Sequence, residues 1–395
     1  MAREPLASAG MNSGPRILNL IDMAPNKQGP VELQVIETAR QASELGMEFV
    51  AYFSQSIPEW FEADMAAAGA RVGRFDSSQW TSAVMAICQQ ERPDLAHFHF
   101  GPHAGMNEAS RRGIKVVRTE HSPRPPRSLP PLRVAIRHWR TRKVDLFIAV
   151  SEFIARQTMR DFGVSRGRIR VVLNATDITR FRPRPADRDR LRRELFGVTD
   201  ERVVVTVAAN LRAAKRQQLA ILAMAEIRQR VPDARLVLAG DGPDRERLLS
   251  LVSESGLGDV VAVLHGDNDV AAIYAASDIA LLPSTGEGLP GGGIEALACG
   301  LPLVATPNGG TPEVYEDGVS GVSVHEQTSH GIAQGLLPLI QDRSAREAMG
   351  RAARDRAEEL FAISRPARET IAVYRELVGR GAKSSSASLS ERATS

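Results

Sequence analysis

The chain has 395 residues, more than one ordinary hydrophobic core holds, so two domains are expected. Hydrophobic residues make up 43% and charged residues 25%, a globular composition, while the 5% aromatic content argues against an aromatic-platform nucleic-acid binder. A net charge of +3 over this length demands no polyanionic partner, and no nucleic acid is expected.

Residues 1–14 are small and polar and lack the apolar core of a signal peptide, which predicts a disordered N-terminus. No apolar run is long enough to span a bilayer. Cys88 and Cys299 lie far apart without metal-ligand spacing and read as buried, reduced thiols of a cytoplasmic protein.

In the first half, short apolar runs at 17–21, 49–53, 95–100, 116–117, 146–150 and 171–173 alternate with helix-like segments. They are near-continuous rather than alternating, which predicts parallel strands buried on both faces. Gly29-Pro30 follows the first run and its loop. His97 and His99 share one face of a predicted strand, and His103 follows; zinc would need further ligands there. His121 ends another predicted strand. From Arg124 to Lys143 there are seven Arg or Lys residues and no acid, with Leu132, Ile136, Trp139 and Lys143 on one helical face. That composition suits an interfacial helix on anionic lipid, an acceptor site for a phosphorylated substrate, or a packed helix with a solvated basic face.

The strand pattern breaks near 178–190, where prolines and charges mark a domain linker. Runs then resume at 203–208, 236–239, 260–264, 279–282 and 303–305. The predicted fold class is α/β, with doubly wound, Rossmann-like parallel sheets. Domain bounds of 15–180 and 181–363 follow, then a helix at 364–380 with Ile371, Tyr374 and Val378 on one face, and a disordered tail at 381–395.

The second half carries the chemistry. Lys215 follows a predicted strand, where a cation can neutralise an anionic ligand. Gly-Asp-Gly-Pro at 240–243 reads as a turn. Asp267-Asn-Asp269 imitates a divalent-metal pair, since two acids one residue apart can share a cation with a diphosphate. Glu287-Gly-Leu-Pro-Gly-Gly-Gly-Ile-Glu295 then opens a predicted helix. A helix start offers unpaired N–H groups and partial positive charge, and Gly291 and Gly292 let phosphates approach it. Carboxylates repel phosphates but accept from hydroxyls. Phosphate donors beside hydroxyl acceptors point to a nucleotide sugar.

Two glutamates with seven residues between them, followed by Ala298-Cys299-Gly300, resemble the signature of the family 4 glycosyltransferases. The resemblance covers roughly residues 15–380. It implies the GT-B fold: two Rossmann-like domains facing a cleft, with the last helix crossing back to the first domain. It also implies a retaining, metal-independent, cofactor-free transfer from a nucleoside-diphosphate sugar, with UDP the commonest nucleotide, to an acceptor hydroxyl. By the same resemblance, Glu287 contacts the transferred sugar and Glu295 the ribose diol. Lys215 stabilises the leaving diphosphate. His121 lines the acceptor and sugar site, and Gly29, Asn268, Gly288, Leu289, Pro290, Gly291 and Gly292 border the donor. The family usually has an arginine five positions before this lysine and a glycine after it; this chain has Asn210 and Arg216, and Arg212 is the nearest replacement. Two other readings stay open: a nucleotide-sugar epimerase on the same fold, and a non-catalytic sugar-nucleotide-binding module. The acceptor class, whether small molecule, glycan or lipid-linked, is not legible. Peripheral contact with the inner membrane face through 124–143 is an expectation.

Overall fold

The computed structural model describes residues 14–25, 29–124, 131–198, 202–266 and 269–392, without the side chains of 131, 140 and 380–392. The first domain is a seven-stranded sheet: β1 (Arg16–Ile21), β2 (Glu48–Phe53), β3 (Arg71–Arg74), β4 (Leu95–His99), β5 (Lys115–Glu120), β6 (Leu146–Ala149) and β7 (Ile169–Val171), in the order β3-β2-β1-β4-β5-β6-β7. The second is a six-stranded sheet: β8 (Val204–Ala208), β9 (Arg235–Ala239), β10 (Val261–Leu264), β11 (Ile279–Leu282), β12 (Leu303–Ala305) and β13 (Gly321–Ser323), in the order β10-β9-β8-β11-β12-β13. Every strand pair is parallel.

Each sheet reverses its strand order once, between β1 and β4 and between β8 and β11. Parallel sheets bind ligands at the carboxyl ends of the strands flanking such a reversal. The two reversals therefore aim the loops after Ile21, His99, Ala208 and Leu282 at a common cleft.

Two strands went unanticipated in the sequence, and both are edges. β3 (Arg-Val-Gly-Arg) is partly exposed along its length, so it lacks an apolar run. β13 is only three residues long. β7 sits two residues earlier than the 171–173 run, because Ile169 is the buried member.

The chain crosses between domains twice, and the crossings meet. Thr176 donates its backbone N–H to the Phe361 carbonyl (2.9 Å) and accepts from the Ile363 N–H (3.1 Å). The helix Arg188–Phe196 belongs to the second domain. Its Arg192, wholly buried, bonds Asp278 Oδ2 at 3.0 Å, and Arg188 bonds Oδ1 at 2.6 Å. The last helix, Ser364–Arg392, packs Ile371, Tyr374 and Leu377 into the core of Ile17, Phe49 and Phe53 in the first domain. It runs past residue 380, where a disordered tail was expected at 381–395, because no proline or glycine interrupts 382–392.

Candidate active site

The Lys215 corner follows β8. The short helix Ala213–Lys215 ends on Arg216, whose backbone lies in the left-handed region at φ 51°. That conformation favours glycine, which explains the glycine usual at this position. Here the arginine takes the turn and anchors its guanidinium on Gln327 Oε1 at 2.8 Å. Lys215 is thereby directed at Glu287, and Lys215 Nζ donates to Glu287 Oε1.

The Glu287 loop follows β11 and opens the helix Gly291–Ala298, which has no side-chain cap at its N-terminus. Its leading N–H groups thus face the cleft without a side-chain acceptor. Tyr274 donates its hydroxyl to the Gly292 carbonyl at 2.8 Å. Burial, with Glu295 nearby, holds that phenol well above its usual value, so it stays a donor.

The first domain grips the same loop. Ser151 Oγ donates to the Gly288 carbonyl at 2.7 Å, and Asn174 Nδ2 to the Leu289 carbonyl at 2.9 Å. The Glu313 carboxylate of the second domain accepts from the N–H groups of Glu152 and Phe153, at 2.7 Å each, where the helix Glu152–Phe162 begins. Two glycines make this approach possible. A Cβ on Gly288 would collide with the His121 carbonyl, and one on Gly291 would stand 2.8 Å from Pro30 Cγ. These glycines serve the contact between domains as well as access for a ligand.

Between these walls lies a cavity of about 850 Å³. It is bordered by Gly29, His121, Asn210, Arg212, Lys215, Glu287, Gly288, Leu289, Pro290, Gly291, Gly292 and Glu295. Asn268 lies outside the described residues. Asp269 is engaged elsewhere: it caps the helix Val270–Ala276 through the Ala271 N–H (3.1 Å) and pairs with Arg180 at 3.3 Å. Among the described residues, no group of His, Cys, Asp and Glu side chains is arranged to hold a metal ion. The sequence reading missed Arg180, which borders the cavity from the linker, and Ser151 and Asn174, which hold the loop. Ser151 caps the helix Glu152–Phe162 locally, while its contact with Gly288 lies 137 residues away, beyond any local pattern.

His121 sits at the end of a chain of buried histidines. Its Nε2 lies 3.0 Å from His99 Nδ1, and His99 Nε2 lies 3.2 Å from Asn19 Oδ1. His97 bridges Tyr374 Oη and Thr119 Oγ1, at 2.7 Å each, and so ties the crossover helix to this wall. His103 stands apart, edge-on to Phe162. Burial lowers His97 to about 3 and His121 to about 4, and His99 falls well below its usual value. Folded-state values below the unfolded value of about 6.5 mean the unfolded chain takes up protons first as pH falls. The histidine contribution is therefore intact above about pH 6.5 and is lost as pH drops through that value toward the folded pKa values. Calorimetry from pH 8 to 5 should show Tm falling below about 6.5, and His97→Gln should flatten the slope. A wild-type Tm constant over that window contradicts this reading.

The comparisons with known proteins agree with the geometry. Residues 187–356 match the family described as glycosyl transferases group 1, and residues 31–180 match glycosyltransferase family 4. N-acetyl-alpha-D-glucosaminyl L-malate synthase of Bacillus anthracis is 31% identical over 287 residues, 71% of this chain and 74% of that protein. A GDP-mannose-dependent alpha-(1-6)-phosphatidylinositol monomannoside mannosyltransferase of Mycolicibacterium smegmatis is 33% identical over 57% of this chain and 60% of its own. The crystal structure of Anabaena Alr3699/HepE in complex with UDP superposes with a TM-score of 0.78 at 22% identity, covering 91% of this chain and 100% of that one. That likeness speaks for the fold.

Proposed function

The chain belongs to the group 1 glycosyltransferases of the family 4 type, and from that premise we propose a retaining hexosyl transfer from a UDP-sugar to an acceptor hydroxyl, without metal. The observation that carries this reading is the ion pair of Lys215 with Glu287 beside the uncapped helix N-terminus at Gly291, inside one cavity. A donor diphosphate at that helix start competes with Glu287 for Lys215. Lys215 then turns to phosphate, and the Glu287 carboxylate becomes available to the sugar hydroxyls. Arg212, on the same rim, adds positive charge toward the diphosphate. Glu295 accepts from the ribose hydroxyls. Gly29 and Asn210 border the phosphates, and His121 faces the sugar and the acceptor.

In the proposed step the bond from the anomeric carbon to the β-phosphate oxygen breaks, and its electron pair leaves on the diphosphate. The acceptor oxygen bonds the same face of that carbon, and its proton passes to the departing phosphate oxygen. Lys215, Arg212 and the helix N-terminus stabilise the charge that develops there. In this step no protein base is required, because the departing phosphate oxygen takes the proton.

UDP is the commonest donor nucleotide of the family; the mycobacterial relative is named for GDP-mannose, which makes GDP the rival donor. A panel of UDP-, GDP- and ADP-sugars, followed by thermal shift and slow donor hydrolysis, tests the donor. UDP-sugars should raise Tm and be hydrolysed equally with EDTA and with Mg²⁺. Stabilisation by GDP-sugars alone, or activity abolished by EDTA, would overturn the respective part of the proposal.

A further inference from the structure

Among the described residues, seven large hydrophobic side chains are strongly exposed. Four are scattered singly, as is ordinary on a protein surface. The other three, Leu132 at 71%, Ile136 at 42% and Trp139 at 57%, fall on the single helix Pro131–Thr141. Their spacing of four and three residues makes one stripe along it. The helix is seated from its other side. His138 Nδ1 lies 3.1 Å from the Phe162 carbonyl, Thr141 is buried, and Arg137 lies 4.0 Å from Asp161. The apolar stripe therefore faces outward by construction.

Charge surrounds the stripe. Arg133, Arg142 and Lys143 are exposed, and the Arg142 guanidinium lies 5.2 Å over the Trp139 ring. The sequence from 124 to 143 carries seven Arg or Lys residues and no acid. A second copy of this chain would bring the same positive charge to a twofold contact and be repelled. An anionic bilayer offers what the helix lacks: an apolar layer for Leu132 and Ile136, an interface for the Trp139 indole, and negative headgroups for the cations.

We propose that the helix Pro131–Thr141 is an interfacial anchor that docks this protein on an anionic membrane surface. The anchor joins the cleft directly. Ser122 and Pro123 border the cavity, and Pro131 follows Pro123 by eight positions, a separation of at most ~27 Å. Docking thus sets the first-domain wall of the cleft beside the bilayer. The inference stands on surface chemistry and does not rest on the identity of the donor.

The test uses the full chain, sedimented with vesicles of phosphatidylcholine alone or of phosphatidylcholine with phosphatidylglycerol. The protein should pellet with the anionic vesicles, less with neutral ones, and be released by added salt. Each surface cation contributes about fivefold, so Arg133→Glu/Lys143→Glu should weaken partitioning more than about 25-fold. Leu132→Ser/Ile136→Ser/Trp139→Ser should weaken it more than about tenfold. These exposed substitutions should leave nucleotide-induced thermal stabilisation unchanged, which separates a failure here from a failure of the donor reading. Failure to pellet with anionic vesicles would overturn the proposal. So would equal pelleting of the triple variant, or a wild-type dimer that the triple variant turns into monomer.

Discussion

Lys215→Ala should lower the rate of glycosyl transfer by about 10²–10³-fold, the scale for removing one group that stabilises charge developing in a transition state. Lys215 is largely enclosed, at 14% side-chain exposure, as is its partner Glu287. Water and salt therefore replace it poorly. The two partners should fail differently. Lys215→Ala loses a contact to the diphosphate, so UDP affinity and kcat should both fall. Glu287→Ala removes a carboxylate that competes with phosphate for Lys215, so UDP affinity should hold or rise while kcat collapses. The double variant should fall short of the product of the single effects, because the residues share one interaction. Steady-state kinetics beside UDP titration reads this split. Lys215→Ala with wild-type turnover and wild-type UDP affinity would remove the lysine from the account.

How much of this was written in the sequence depends on the range of the contact involved. The buried strands were legible because parallel sheets covered on both faces need unbroken apolar runs, such as 203–208 for β8. β3 and β13 carry no such run, because edge strands are wetted or short. The Glu287–Glu295 loop was legible because two acids at fixed spacing around glycines have little local reason to exist. The partners that hold this loop were not: Ser151, Asn174 and Glu313 act across the domain boundary, and no local pattern encodes such a contact. Arg216 illustrates the same limit. The sequence shows an arginine where a glycine is usual, and only the fold shows the left-handed backbone it must adopt. Tyr374 was legible as one of an apolar helical face, whereas its bond to His97 depends on where the last helix lands. The basic stretch at 124–143 left three readings open, and the outward stripe of Leu132, Ile136 and Trp139 favours one.

The central claim is that the helix opened by Gly291 holds a uridine diphosphate, with Glu295 on the ribose. A carboxylate accepting from a diol makes charge-assisted hydrogen bonds worth about 1.5–3 kcal/mol. Its loss should weaken UDP binding by roughly 10–100-fold. Glu295 projects from the second turn of its helix, so Glu295→Ala removes the side chain without disturbing the backbone at Gly291 and Gly292. The control is 2′-deoxy-UDP, which lacks one of the hydroxyls. Wild-type protein should discriminate against it, and Glu295→Ala should not, a coupling that general loss of structure cannot produce. Calorimetric titration of UDP and 2′-deoxy-UDP into the two proteins is the measurement to make. The account predicts one metal-independent UDP site, weakened in Glu295→Ala together with the preference for the 2′-hydroxyl. Wild-type protein that takes up no UDP, or Glu295→Ala that binds and discriminates as the wild type does, would contradict it.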